Sequence, residues 1–596
     1  MKPFPELPVP ELQPIEALKT MADIAKRTPK VLGKVLKKQA GSAVSTAKDE
    51  FGITRAFLAL WAQWLKSPMT VAQAQWQYAR DASGLLQAMG KKLLGQTVDD
   101  AVPVAPGDGR FKADAWRDVL WFDFLKQAYL LTARATQGLV GRTSGLSHEH
   151  QKKVEFFTRQ FVDAMSPTNF ALLNPAVITE TVRTGGLNLL KGYSYLLEDL
   201  ERGNGELAIT MTDTSAFTLG KDIATAPGKV VARTSLCEVI QFDPSTPTQY
   251  KRPLLVIPPW INKYYILDLR EKNSFIRWAT SQGHTVFVLS WVNPDADLAK
   301  KGFDDYMTEG PLAALDAIEA ATGERSVNAI GYCLGGTLLG TTLGYMAAKG
   351  DDRIASATFF VSLLDFSIPG DLGVFIDEAQ VDNLEKRMNE RGYLEASEMA
   401  ATFNLLRSND LVWGFAVNRY LLGKAPAPFD LLYWNADSTR MPAAMHGFYL
   451  RNMYLKNLLR VPNGISLKGT PIDLSKVKVP AYFVSTAEDH IAPWQSTYLG
   501  SQALGGPVRF VLGGSGHIAG IVNPPAANKY GFLTNDQRPA KPEDWQRGTT
   551  KNDGSWWTDW QRWIAPQAGE HVPARRPGER GPVMGDAPGS YVTARL

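Results

Sequence analysis

The sequence predicts an α/β class fold, a doubly wound and mostly parallel sheet with a separate, mainly helical N-terminal domain, on three observations. From about Ile15 to Leu200 apolar residues recur at helical spacing, as in EALKTMADIAKRTPKVLGKVLKKQ, AWRDVLWFDFLKQAYLLTARAT and KKVEFFTRQFVDAM. After about Leu207 short runs rich in Val, Ile and Phe take over: RPLLVIPPW, HTVFVLSW, SVNAIGYC, SATFFVSLLD, PAYFVSTAED and VRFVLGG. Buried parallel strands have this composition. Helical segments such as DYMTEGPLAALDAIEAATG separate the runs, which is the alternation of a sheet covered by helices.

A chain of 596 residues exceeds what one hydrophobic core organises. The pattern divides it into a helical domain at 1–205, a sheet domain at 206–566 and an extension at 567–596. Inside the helical domain, DDAVPVAPGDGR at 99–110 reads as a linker. A helical insertion rich in Leu, Tyr and Trp, about 375–467, interrupts the alternation after the sixth strand. In this kind of sheet such an insertion forms a cap over the active site. The tail AGEHVPARRPGERGPVMGDAPGSYV is rich in Gly, Pro and Arg and is expected to be loosely held.

Composition removes several function classes. A formal net charge of +4 with no basic, aromatic-interleaved motif argues against a nucleic-acid partner. Two cysteines, Cys237 and Cys333, supply neither a disulfide framework nor a CxxC metal spacing, and fit a reducing, cytoplasmic setting. The first residues lack the pattern of a secretory signal. The apolar stretch AFLALWAQWL at 56–65 is about half of what a bilayer span needs, so no transmembrane helix is expected.

The chemistry is carried by Gly331-Tyr332-Cys333-Leu334-Gly335-Gly336, between the strand-like SVNAI and the helix-like TLLGTTLGYMAAK. Strand, sharp turn and helix match the nucleophile elbow G-x-S-x-G of the α/β-hydrolase fold, with Cys in place of Ser. A cysteine at a helix start gains from the dipole and the unpaired N–H groups, both of which favour thiolate. The triad of this fold runs nucleophile, acid, base along the chain. Asp489 follows the seventh strand and His517 the eighth, so Cys333, Asp489 and His517 are the candidate triad. Glu488 is a rival for the acid, Asp489 also suits a helix N-cap, and the neighbouring His490 is read as structural or supporting. The oxyanion hole falls to the N–H of Leu334 and, from position alone, that of Ile261 in PPWINKYY. Cys237, in RTSLCEVIQF without elbow glycines, reads as a buried apolar residue.

These residues resemble one family, the class I polyhydroxyalkanoate synthases. The resemblance rests on VIPPWINKYYILDL (256–269), SWVNPD (290–295), GYCLGGTL (331–338), YWNADSTRMP (433–442), AEDHIAPW (487–494), GSGHIAGIVNPP (514–525), GSWWTDW (554–560) and APGSYV (587–592). WFDFLKQAYLL and MSPTNFALLNP extend it into the helical domain. The resemblance implies an acyltransferase that polymerises 3-hydroxyacyl groups from coenzyme A thioesters through an acylated Cys333, with Asp489 and His517 completing the triad. It implies a short-chain substrate such as 3-hydroxybutyryl-CoA, since an aromatic precedes Cys333 and Gly-Gly-Thr follows Leu334. One departure is Trp260, where the family more often carries a smaller residue; it bears on the shape of the acyl pocket. Trp434 is expected in the cap, keeping water from the acyl enzyme.

No metal or organic cofactor is implied beyond the coenzyme A thioester as substrate. The expected associations are a homodimer, the growing polyester, and a granule surface or its phasin-type coat proteins. Lys19 through Lys38, interleaved with Leu18, Met21, Ile24, Val31, Val35 and Leu36, form a basic amphipathic helix suited to a granule surface or to docking on its own domain. The rival functions are an esterase or thioesterase using the same triad with water as acceptor, and a non-catalytic granule-binding protein.

Overall fold

The computed structural model describes residues 7–43 and 52–595 of the chain. The basic helix read as suited to a granule surface lies within these residues, whereas 1–6 and 44–51 lie outside them. The chain forms two compact units: Met1–Asp213 joined by Phe403–Ala427, and Thr214–Thr402 joined by Pro428–Leu596. Among the described residues no helix is long and apolar enough to cross a membrane.

The first unit is helical. Its long helix Pro14–Ala43 lies along the helix Leu187–Arg202. Val31 is buried, Lys34 donates to the Glu201 carbonyl at 3.0 Å, and Arg27 pairs with the Glu201 carboxylate at 3.1 Å. The basic face is thus engaged in part with its own domain, while Leu18, Leu32 and Leu36 stay exposed. Local chemistry sets the helix starts. Asn174 accepts from the Ala176 N–H at 3.0 Å, and Pro175 occupies the first turn, where its missing N–H costs nothing. The 99–110 segment is irregular, as expected of a linker, yet it is pinned: Gln127 donates to the Val102 carbonyl and accepts from its N–H.

The insertion corrects the expected boundaries. It is helical, but residues 403–427 leave the sheet unit and pack within the first. Arg419 donates through Nε to the fully buried Asp199 at 2.9 Å, and Tyr420 donates to the same carboxylate at 2.7 Å. A Cβ on Gly192 would lie 1.8 Å from the Tyr420 carbonyl oxygen, so glycine is what lets the two backbones meet.

Among the described residues the second unit is built on an 11-stranded sheet. In chain order its strands are β1 (Gly228–Arg233), β2 (Cys237–Phe242), β3 (Leu254–Ile257), β4 (Val286–Trp291), β5 (Val327–Tyr332), β6 (Ile354–Phe360), β7 (Ala481–Thr486), β8 (Val508–Gly513), β9 (Phe532–Thr534), β10 (Thr550–Asn552) and β11 (Gly585–Asp586). Their spatial order is β10-β9-β8-β7-β6-β5-β3-β4-β2-β1-β11. The central six, β4-β3-β5-β6-β7-β8, are parallel, and the flanking pairs are antiparallel. All six expected strands are there. β3, β4, β5 and β7 are buried along their whole length, as their unbroken apolar runs require. Leu255 and Ile257 face one apolar cluster and Leu254 and Val256 another, the alternation of a strand covered on both sides.

The tail is a second correction. It is not loosely held: β11 pairs with β1, Val592 is 1% exposed, and Ser590 donates to the buried Glu238 at 2.7 Å. Its Arg575 donates to the Tyr250 carbonyl at 2.9 Å, and its Asp586 pairs with Lys229 of β1.

Candidate active site

Because the chain runs from β3 outward to β4 and returns to β5 on the other side of β3, the sheet's order reverses at the carboxyl ends of β3 and β5. Open α/β sheets bind ligands at such a point. There β5 delivers Cys333 with φ 51° and ψ −118°, a left-handed conformation rare for a side chain of this kind. The turn is held by the Cys333 N–H donating to the Phe360 carbonyl at 2.8 Å. It also needs glycine at two places. A Cβ on Gly331 would lie 2.4 Å from Gly336 Cα, and one on Gly335 would lie 2.0 Å from the Ile257 carbonyl oxygen. The helix Leu334–Lys349 starts immediately afterwards, so the N–H of Leu334, in its first turn, has no intrahelical acceptor.

Asp489 and His517 come together here. His517 Nδ1 lies 2.6 Å from Asp489 Oδ2, and both residues are buried. The other carboxylate oxygen accepts from the N–H groups of Ile491 and Ala492 at 2.9 and 2.8 Å. Asp489 therefore caps a turn with one oxygen and orients the imidazole with the other. Glu488, the rival acid, is exposed. Burial by itself would lower the proton affinity of His517. The Asp489 carboxylate first, then the Cys333 sulfur, outweigh it and push the ring up to about 10.

The histidine loop is fixed from outside. Trp556 and Trp557, in GSWWTDW, donate their indole N–H groups to the carbonyls of Gly520 and Ile521 at 2.8 and 2.9 Å, and Ser555 donates to that of Asn523. Tyr332 lies under the imidazole, ring centroids 6.1 Å apart.

The remaining expected residues divide. Ile261 lies on the loop after β3, and the close approach of Gly335 to Ile257 and Pro258 sets the start of that loop against the elbow. Trp434 does not line open space: it is buried and donates to the Lys263 carbonyl at 2.7 Å, bracing the same loop. Trp260 is likewise corrected from pocket to core. Its ring is 1% exposed and packs on Trp291, Phe303 and Tyr306, with centroids 5.4, 6.1 and 4.6 Å away. His490 is half-buried, and its carbonyl accepts from Asp371 at 3.3 Å beside the Gly370 turn. Cys237 is fully buried, donates to the Glu309 carbonyl and is pushed up to about 12 by burial, an inert thiol.

Two residues were missed from the sequence. Tyr449 and Tyr454, ring centroids 5.4 Å apart, come from the part of the insertion that stays with the sheet, and both pack in the apolar cluster that the Cys333 sulfur also borders. Burial first, then neighbouring groups that include that sulfur, hold their phenol protons tightly, so both remain neutral hydroxyl donors. The signal was the spacing in YLRNMY, which sets two tyrosines five positions apart in a helix beside the elbow.

The chain as a whole is similar to known proteins. A family described as "Poly-beta-hydroxybutyrate polymerase (PhaC) N-terminus" matches residues 107–279, and one described as "alpha/beta hydrolase fold" matches 258–524. A poly(3-hydroxyalkanoate) polymerase of Methylorubrum extorquens is 48% identical over 93% of this chain and 91% of its own length. The chain belongs to the poly(3-hydroxyalkanoate) polymerase family. Polymerase PhaC subunits of Rhizobium meliloti (48% identity, 89% of this chain and 87% of that one) and Cupriavidus necator (41%, 89% and 89%) are also similar. The chain is thus an enzyme of polyhydroxyalkanoate polymerisation on an α/β-hydrolase fold. In this polymerase the only cysteine near the switch point is the one in the strained elbow, among the described residues.

Proposed function

We propose that the polymerase works through a covalent acyl enzyme on Cys333, taking 3-hydroxyacyl groups from coenzyme A thioesters, with short-chain units such as 3-hydroxybutyryl-CoA preferred. The observation that carries this reading is the strained Cys333 at the sheet's switch point, beside a buried histidine whose Nδ1 is held 2.6 Å from a buried carboxylate.

His517 takes the thiol proton, and the sulfur attacks the thioester carbonyl carbon. The resulting oxyanion is received by the N–H of Leu334 and that of Ile261. Collapse breaks the bond to the CoA sulfur, which leaves with the proton carried by His517. The 3-hydroxyl of another unit then attacks the Cys333 thioester and gives its proton to the imidazole, and the thiolate is released. The chain grows by one ester at each cycle. Cysteine suits the cycle because one thioester replaces another at little thermodynamic loss. The apolar clusters that meet around Cys333, and the tyrosines beside it, support exclusion of water between the two halves.

The test is acylation by a radiolabelled 3-hydroxybutyryl-CoA together with product analysis. Cys333→Ala is expected to lose both label and polymer, and wild-type enzyme to release CoA with insoluble polyester. Turnover by Cys333→Ala would refute the nucleophile. Release of free 3-hydroxy acid in place of polymer would favour the hydrolase reading.

A further inference from the structure

The loop between β3 and the turn Tyr264–Asp268 has no regular structure of its own, yet it carries the proposed oxyanion donor Ile261. Its shape is therefore set by what holds it. On one side is the segment after Trp434. Besides the indole bond to Lys263, the Thr439 N–H donates to the Ile261 carbonyl at 3.0 Å, and the Thr439 hydroxyl donates to the Trp260 carbonyl. On the other side is the end of the chain. The Lys263 ammonium donates to the carbonyls of Val592 and Ala594, both at 2.8 Å, and pairs with Asp437 Oδ1 at 2.8 Å. A lysine has three protons to give, and these three acceptors take them all. Asp437 Oδ2 in turn accepts from Tyr265 at 2.8 Å, and the Arg595 guanidinium lies over the Tyr433 ring at 4.2 Å.

We propose that Lys263 is a positioning residue: its buried ammonium ties the last residues of the chain and Asp437 to the loop after β3, and so fixes the Ile261 N–H for the oxyanion. The proposal rests on the reading of Cys333 and this loop as catalytic. An ammonium buried to 5% exposure is expensive unless its partners are fixed, and burial indeed pulls Lys263 below its ordinary proton affinity in spite of Asp437. A loop needing only apolar anchorage would be better served by methionine. What the ammonium adds is directional geometry between segments more than 150 residues apart in the chain, at a place where a displacement of about 1 Å is felt in the rate. It also gives the tail a role in the reaction: its last turn closes over the back of the oxyanion loop.

The experiment uses the full enzyme with Lys263→Met, Lys263→Gln and a chain ending at Tyr591, and Cys333→Ala as the control. CoA release from 3-hydroxybutyryl-CoA gives kcat and KM, iodoacetamide alkylation of Cys333 reports the nucleophile, and thermal melting reports folding. The expected result is a kcat lower by about 10- to 100-fold in Lys263→Met and in the shortened chain, with KM within about twofold and the alkylation rate unchanged. Lys263→Gln, which keeps two donors and is the variant least disposed to misfold, is expected to recover part of the loss. A kcat within twofold of the parent in any folded variant would overturn the proposal. So would a parallel fall of kcat, alkylation rate and melting temperature, since that is what a merely structural lysine produces. Activity retained by Cys333→Ala would instead sink the catalytic reading beneath it.

Discussion

At the scale of single residues, the imidazole of His517 makes the sharpest statement. Its proton affinity is raised to about 10 in the folded protein, against 6.5 for a free side chain. A group raised in this way contributes stability that is complete below pH 6.5 and is lost as pH rises through about 10, because over that interval the folded state holds a proton the unfolded state has released. His517→Gln is therefore expected to remove a decline in melting temperature between pH 7 and 10 that the parent shows. The same substitution should lower kcat by at least about a hundredfold, the scale of lost acid and base catalysis. Parallel melting profiles for parent and variant would refute the coupling. The turn at Cys333 and the pairing of Asp489 with His517 were legible because each is tied to a chain-local signal: flanking glycines, or a position just after an apolar run. Trp260 was not, since nothing local tells whether a tryptophan at a strand end turns outward or, as here, joins Trp291 and Tyr306 inside. Lys263 was invisible for the same reason, its partners lying in Asp437 and the chain end.

At the scale of elements, the strands could be read because burial on both faces forces unbroken apolar runs, and helices because docking one face forces a period of 3.6. What could not be read is partnership between distant segments. The insertion looks like one helical block, yet its middle, 403–427, belongs to the first unit because Arg419 and Tyr420 meet Asp199 there. The tail looks disordered because Gly, Pro and Arg are common in loops, yet it is tied by Glu238 and by pairing with β1. The Arg419 interaction makes a direct prediction. Asp199 is fully buried, and Arg419→Met takes away its buried cation while Arg202, half exposed at 3.2 Å, remains, so the loss is expected to fall below the about 3–5 kcal/mol of a buried charge left wholly unpaired. Arg419→Met is expected to open the 403–427 segment first, seen as proteolytic cleavage inside it before the sheet unit is attacked. Double replacement with Asp199→Leu should recover much of the loss. Cleavage spread evenly over the chain in Arg419→Met would refute the anchor.

At the scale of the whole molecule, buried histidines are expected to set the acid limit of the sheet unit, and His517 the alkaline one. His284 is fully buried with Nε2 2.9 Å from Gln561 Oε1, and His446 is 3% exposed in the helix Ala443–Tyr449. Burial pulls both down to about 4, in His284 against the opposing pull of Gln561. Here the sign is reversed. Between pH 6.5 and about 4 the unfolded chain gains protons at these positions that the folded chain refuses, so stability present above 6.5 is lost as pH falls. Denaturant midpoints followed by tryptophan fluorescence should therefore peak near pH 6.5 to 7 and decline on both sides. Each limb should answer to its own residues: His284→Gln with His446→Gln should flatten the acid limb alone, and His517→Gln the alkaline limb alone. An acid limb unchanged in the double variant would mean that carboxylates, and not these two imidazoles, govern how far this polymerase withstands acid.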